Sequence, residues 1–332
     1  MAVAHYDILA AAHTAHGYRS YYAKWLKNAR HIIALKGHYV TISAVLTAFA
    51  DNLDGIELWR FHEPLNPNLL TGLVIPSRHT AIIMDHSSWQ ISGVTAVIDT
   101  VSLDAPTVRY PSLPPDVYRH LRIASDYLQD IREFWRTVPQ LSAAVHDVQQ
   151  RLLEMVSVCP IPKAGQSFHA FGTALSSQGP YSPVTDASWP AKRRHLLISP
   201  PGSEIHALMA AVGKRALASG HSVLFLHCGI NPDHFDHLYL PQSQWLISHC
   251  VAPHWQTPHT TDVTYDLTQA SLTAGARDEL DNLYFLYAQA YHKAWARIAE
   301  TMSPPTPVPA EEVQRGVQKV SDELSRHLTL SG

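Results

Sequence analysis

Apolar residues along this chain fall into two alternating signatures. Short β-branched and aliphatic runs, HIIALKG at 31–37, IELWRFH at 56–62 and TAIIMD at 80–85, read as buried strands. Between the first two, Ile42, Val45, Leu46 and Phe49 recur at helical spacing. The same order returns later: HLLISPPG at 195–202, a helix carrying Ile205, Leu208, Met209 and Val212 toward Gly220, then SVLFLHC at 222–228 and QWLISHC at 244–250. Long amphipathic helices follow each set. Leu121, Ala124, Leu128, Ile131 and Trp135 share one face, Leu141, Val145, Val148 and Leu152 another, and Leu280, Leu283, Tyr287, Tyr291, Ala294 and Ile298 a third. A last helix, with Val313, Val317, Val320, Leu324 and Leu328, is expected to cap the second domain. Residues 12–28, polar and aromatic, read as a turn and short lead-in.

The two sets are copies. FHEPLNPNLLTGLVIP, Phe61 to Pro76, returns 165 positions later as LHCGINPDHFDHLYLP, Leu226 to Pro241. His62, Asn66, Pro67, Leu73 and Pro76 fall on His227, Asn231, Pro232, Leu238 and Pro241 without a gap. So long a period means two domain-sized units rather than a solenoid. The prolines and glycine of CPIPKAGQS, residues 159–167, break all periodicity and place the boundary near Lys163. Strands alternating with helices predict an α/β fold with parallel sheets in two tandem domains, 1–160 and 161–332.

Composition narrows the function. With 46% apolar residues, 16% charged and a net charge of -3, the chain offers no electrostatic reason to bind nucleic acid or an anionic membrane. No eighteen-residue apolar stretch and no basic leader followed by an apolar run is found, and three scattered cysteines, Cys159, Cys228 and Cys250, fit a reducing compartment. A cytoplasmic protein is expected, with an unknown protein partner left open. The 22 histidines are the unusual feature.

A strand that ends in a glycine turn opening a helix is the position of a phosphate loop. The pieces LKG at 35–37, HEPLNP and VIP in the first half, and PPGS, FLHCGINPDHFD, LYLP and CVAPH in the second, stand in one shared order. On these pieces the chain resembles bacterial duplicated P-loop ATPase-like proteins over nearly its whole length. The resemblance implies two three-layer P-loop NTPase-like domains and places Lys36, Gly37, Thr41 and Asp85 in the first half, and Gly202 and Ser203 in the second, at phosphate-loop and magnesium positions. Both loops depart from the working pattern. Val40 and Ile42 stand where glycines belong, and Ser43 and Ala44 replace the lysine and the metal-binding hydroxyl. Glu204, Ile205 and His206 replace glycine, lysine and serine in the second loop. A carboxylate about 5 Å from a phosphate charge costs on the order of 3 kcal/mol at an effective dielectric of ~20.

The expectation is therefore a degenerate tandem P-loop protein, a non-catalytic scaffold or binding protein that needs no cofactor. The alternative is an ATP-binding protein or ATPase using ATP and magnesium through atypical loops. On the first reading, Glu204→Gly, Ile205→Lys and His206→Ser together should restore nucleotide binding. A third reading is a metal-binding protein, because His227, His249 and His254 lie at the ends of strands where three imidazoles can converge on one ion. No GxSxG, HExxH or GxGxxG pattern appears.

Overall fold

The computed structural model describes residues 5–53, 55–85, 97–103, 112–158, 160–185, 189–302 and 305–329. The first half comprises β1 (His5–Ile8), β2 (Ala11–Thr14), β3 (Gly17–Ser20), α1 (Tyr22–Leu26), β4 (His31–Lys36), α2 (Tyr39–Asp51), β5 (Leu58–Glu63), β6 (Asn66–Ile75), β7 (Thr80–Met84), β8 (Val97–Ser102), α3 (Pro115–Arg136) and α4 (Pro139–Val158). The second comprises β9 (Ser167–Phe171), β10 (Ala174–Ser176), β11 (Gly179–Tyr181), β12 (Arg193–Ile198), α5 (Ile205–Ala218), β13 (Val223–His227), β14 (Phe235–Leu240), β15 (Trp245–Cys250), β16 (Val263–Asp266), α6 (Ala274–Thr301) and α7 (Ala310–Thr329).

Two six-stranded sheets carry the same topology. One runs β1-β5-β6-β7-β4-β8 and the other β9-β13-β14-β15-β12-β16. Both are mixed rather than parallel: β6 and β14, third in each order, pair antiparallel with both neighbours, and every other pairing is parallel. The reason lies inside the repeated motif. Its NPNLLTGLVI stretch is itself a strand, joined to β5 and β7 by turns far too short for the crossover that a parallel pair requires.

The motif's rare residues build that turn. His62 Nδ1 bonds to the carbonyl of Pro67, and His227 Nδ1 to the carbonyl of Pro232. Asn66 Oδ1 accepts from the Asn68 N–H, and Asn231 Oδ1 from the Asp233 N–H. Leu73 and Leu238 are fully buried. The other nitrogen of each histidine shows how the copies diverged. His62 Nε2 meets Asp7 Oδ1 at 2.6 Å, and Arg60 grips the same carboxylate with two bonds of 2.8 and 2.7 Å. His227 Nε2 instead meets His169 Nδ1 at 2.9 Å, and His169 stacks on Phe225. An ion pair in one sheet has become a ring stack in the other.

The chain forms two compact units that do not follow the linear cut at 160/161. Unit 1 holds residues 1–11, 20–113 and 300–332, and unit 2 holds 12–19 and 114–299. The final helix α7, expected to cap the second domain, belongs to unit 1 and packs there on α2, with Gly316 admitting Val45, while α4 from the first half packs on α5 of unit 2. Amphipathic stripes announce that a face is buried but not which sheet buries it. The core of unit 2 joins Leu152 and Val156 of α4, Leu208 and Val212 of α5, and Val223, Leu238 and Ile247 of the sheet. Residues 12–28, read as a lead-in, form the hairpin β2–β3 and α1.

The segment that marks the boundary in the sequence is bound down within unit 2. Ile161 N–H donates to the Ser219 carbonyl at 2.8 Å, and at Gly220, with φ +88°, an added Cβ would lie 2.0 Å from Ile161 O and 2.6 Å from Lys163 O. Gly220→Ala should therefore cost about 3 kcal/mol or more in urea unfolding. Gly275→Ala in α6, with no atom within 4 Å of its Cβ, should leave stability unchanged or raise it. Equal behaviour of the two variants would contradict the packing described. Cys159 lies outside the described residues.

Candidate functional site

In neither unit do the phosphate-loop positions form an open loop of free backbone donors. In unit 1 only Gly37 and His38 separate β4 from α2, so Val40, Thr41, Ile42 and Ser43 are wound into the helix and buried. Two of the helix's first donors are used: Val40 N–H reaches His38 Nδ1 at 3.3 Å and Ile42 N–H reaches the His38 carbonyl at 2.9 Å. Thr41 Oγ1 donates to Glu312 Oε1, Ser43 Oγ accepts from the Leu70 N–H, and Lys36 Nζ pairs with Asp85 Oδ2 at 3.5 Å near the surface.

Unit 2 keeps a longer connection, residues 199–204, but Pro200 and Pro201 have no N–H to offer. Ser203 N–H turns back to the Pro200 carbonyl, and Ile205 N–H to the Ser203 carbonyl. Ile205 is fully buried in the core, so a lysine there would disrupt the unit rather than rebuild a loop. Glu204 Oε1 lies 3.0 Å from Arg136 Nε but out of line with its N–H, a charge contact without a hydrogen bond.

A cavity of about 340 Å³ opens in unit 2 where β12, β13 and β15 end and the reversed strand β14 begins. The functional positions expected from the sequence lie where parallel strands stop, and Asp236, near the start of the reversed strand β14, is not among them. Gly202, Ser203 and His206 line one side, Cys228, Gly229 and Ile230 another, and Val251 to His254 a third. Helices close it with Leu128, Ile131 and Arg132 from α3, and with Tyr284, Tyr287 and Tyr291 from α6. Gly202, at φ +80°, permits the close approach of Ile131, whose Cγ2 would lie 2.5 Å from a Cβ.

Arg132 is the exceptional group here. It is only 5% exposed, its Nη1 has no hydrogen-bond partner, and its guanidinium makes no hydrogen bond or ion pair with any described residue. Burial lowers its affinity for the proton, and Cys228, Asp236, Glu204 and Tyr287 act on it only through space. Buried guanidinium groups are normally forked onto a carboxylate or phosphate.

Around it stand further buried polar groups. Asp236 Oδ2 is buried without a hydrogen bond, and burial raises its carboxyl above the ordinary range. His249 Nε2 and Ser203 Oγ each lie 2.7 Å from Ser199 Oγ, and His254 Nδ1 donates to the His249 carbonyl at 2.6 Å. One ligand-type atom from each of Asp236, His249 and His254 falls within 4.8 Å of the other two. His227, expected beside them, is instead held by His169 and Pro232. His206 and His234 stack with ring centroids 3.9 Å apart, and burial lowers both, His234 to about 3. The Cys228 thiol is pushed up by burial to about 12, so it stays protonated and is no nucleophile.

The site thus combines an unpaired cation, weakly hydrated imidazoles and apolar walls. It is suited to hold a ligand, and Ser199 Oγ stands against His249 Nε2 beside it. Among the described residues no helix is long and apolar enough to cross a membrane. No known protein family matches the chain, and neither a curated protein nor a solved structure does.

Proposed function

We propose that the chain is a non-catalytic binding protein of two duplicated α/β units, degenerate at its P-loop-like positions, in which the cavity of unit 2 captures a small organic anion. The observation that carries this reading is Arg132. A guanidinium buried with no partner costs several kcal/mol, and an anion with two coplanar oxygens is the ligand that offsets it. The apolar and aromatic walls supplied by Leu128, Ile131, Tyr284 and Tyr287 add contact for a hydrocarbon or ring attached to the anionic group, with inorganic phosphate as the smallest probe of the guanidinium itself.

The nucleotide alternative is the weaker reading. Val40 N–H and Ile42 N–H of α2 are already bonded, two prolines interrupt the loop before α5, and Glu204 stands beside it. A thermal unfolding screen with inorganic phosphate, sulfate, citrate and MgATP tests the proposal. Phosphate or citrate at a hundredfold excess over its Kd should stabilise the wild type by about 2.7 kcal/mol. Arg132→Met should abolish that response, whereas Lys36→Met in unit 1 should leave it unchanged. No response to any of the small anions, or a MgATP response lost with Lys36, would overturn it.

A further inference from the structure

Within the same cavity a second set of groups is arranged for a different partner. Asp236 is 8% exposed, His249 7% and His254 4%, and their three ligand-type atoms lie within 4.8 Å of one another. A tetrahedral zinc with bonds of ~2.0–2.1 Å to nitrogen holds its ligands about 3.3 Å apart, so a small inward shift closes the set.

The orientation of each group suits a ligand. His254 Nδ1–H donates to the His249 carbonyl, which fixes the tautomer and leaves the Nε2 lone pair toward Asp236 Oδ2, 3.9 Å away. That oxygen has no hydrogen bond although it is buried. His249 Nε2 is held by Ser199 Oγ, itself held by Ser203 Oγ, and with that bond kept Nδ1 is the nitrogen left for an ion. A carbonyl and a hydroxyl behind the two imidazoles are the outer partners that ligating histidines use.

We infer that Asp236, His249 and His254 form a binding site for a divalent metal of the zinc class, with a fourth position open to the cavity. Two imidazoles and one carboxylate suit zinc, cobalt or nickel and not magnesium or calcium, which take oxygen ligands. The inference does not depend on the anion reading, because Arg132 contributes no ligand.

The test uses the full chain without a polyhistidine tag, stripped with a chelator, loaded with zinc, desalted and measured for metal content. One zinc per chain is expected, undisturbed by a large excess of magnesium. Competition with a chromophoric chelator should show Asp236→Asn and His254→Gln weakening zinc about 100-fold or more, and Ser199→Ala about 10-fold. His259→Gln, at an exposed position, should have no effect. Should Asp236→Asn or His254→Gln fail to fold, Ser199→Ala decides, since a hydroxyl without a role behind the metal leaves the affinity unchanged. Folded wild type holding no zinc, or folded variants holding it undiminished, overturns the assignment. Arg132→Met protein should still take one zinc, which separates failure of this site from failure of the anion site.

Discussion

Arg132→Met should raise the stability of the ligand-free protein by on the order of 2 kcal/mol while removing its response to anions. Natural cores rarely keep a charge that harms the resting fold. Here the guanidinium is buried on α3 with Nη1 unsatisfied and no ion pair to Asp236 or Glu204. Methionine fills a similar volume among Leu128, Ile131 and Tyr287 and carries no desolvation cost. Chemical denaturation without added anions reads the effect as a higher midpoint at constant slope. A lower midpoint would mean that the guanidinium supports the fold rather than awaiting a ligand.

Acidification should weaken unit 2 sharply between pH 6.5 and 4.5, well above the range in which ordinary carboxylates titrate. Burial holds His13 and His195 neutral, each with its pKa lowered to about 4. The unfolded chain takes up these protons near pH 6.5. Because the folded values are depressed, their contribution is complete above about 6.5. It declines as pH falls and is gone once pH has dropped through about 4. Each group contributes on the order of 2–3 kcal/mol between pH 7 and 4.5. His13 Nδ1 meets the hydroxyl of Tyr118, and His195 lies against Tyr265 with Nε2 unpartnered; neither bonds a carboxylate, and burial with the Arg193 charge outweighs the pull of Asp262 on His195. Asp7 acts in a separate window. Burial pushes its carboxyl up, but hydrogen bonds from His62 and Arg60 outweigh this and bring it to about 2, so its contribution to unit 1 is lost only as pH falls below about 4. Urea unfolding from pH 7 to 4.5 should show the steep loss, reduced in His195→Gln. A flat profile would contradict the neutral burial of these histidines.

The duplication was legible because its rarest residues make one turn twice: His62 with Pro67 and His227 with Pro232, each beside an asparagine turn. Strands and helices were legible from period. Strand direction was not, since β6 and β14 are as apolar as their parallel neighbours and only the shortness of the turns reverses them. The exchange of α4 and α7 was equally hidden, because an amphipathic face does not encode its partner. At the site, His249 and His254 were found from their place at a strand end, whereas Asp236 was missed with the direction of β14. Arg132 carried a readable signal. It sits one turn after Leu128 and one before Trp135, a charge inside an apolar stripe, and such a charge is either snorkelling or waiting for a partner.

The most direct test of the account is calorimetric titration of inorganic phosphate into the full chain, wild type beside Arg132→Met. A single saturable site in the wild type, absent from an Arg132→Met protein that is folded and more stable, is the predicted result. Absence of heat in the wild type, or identical binding by both proteins, would contradict it.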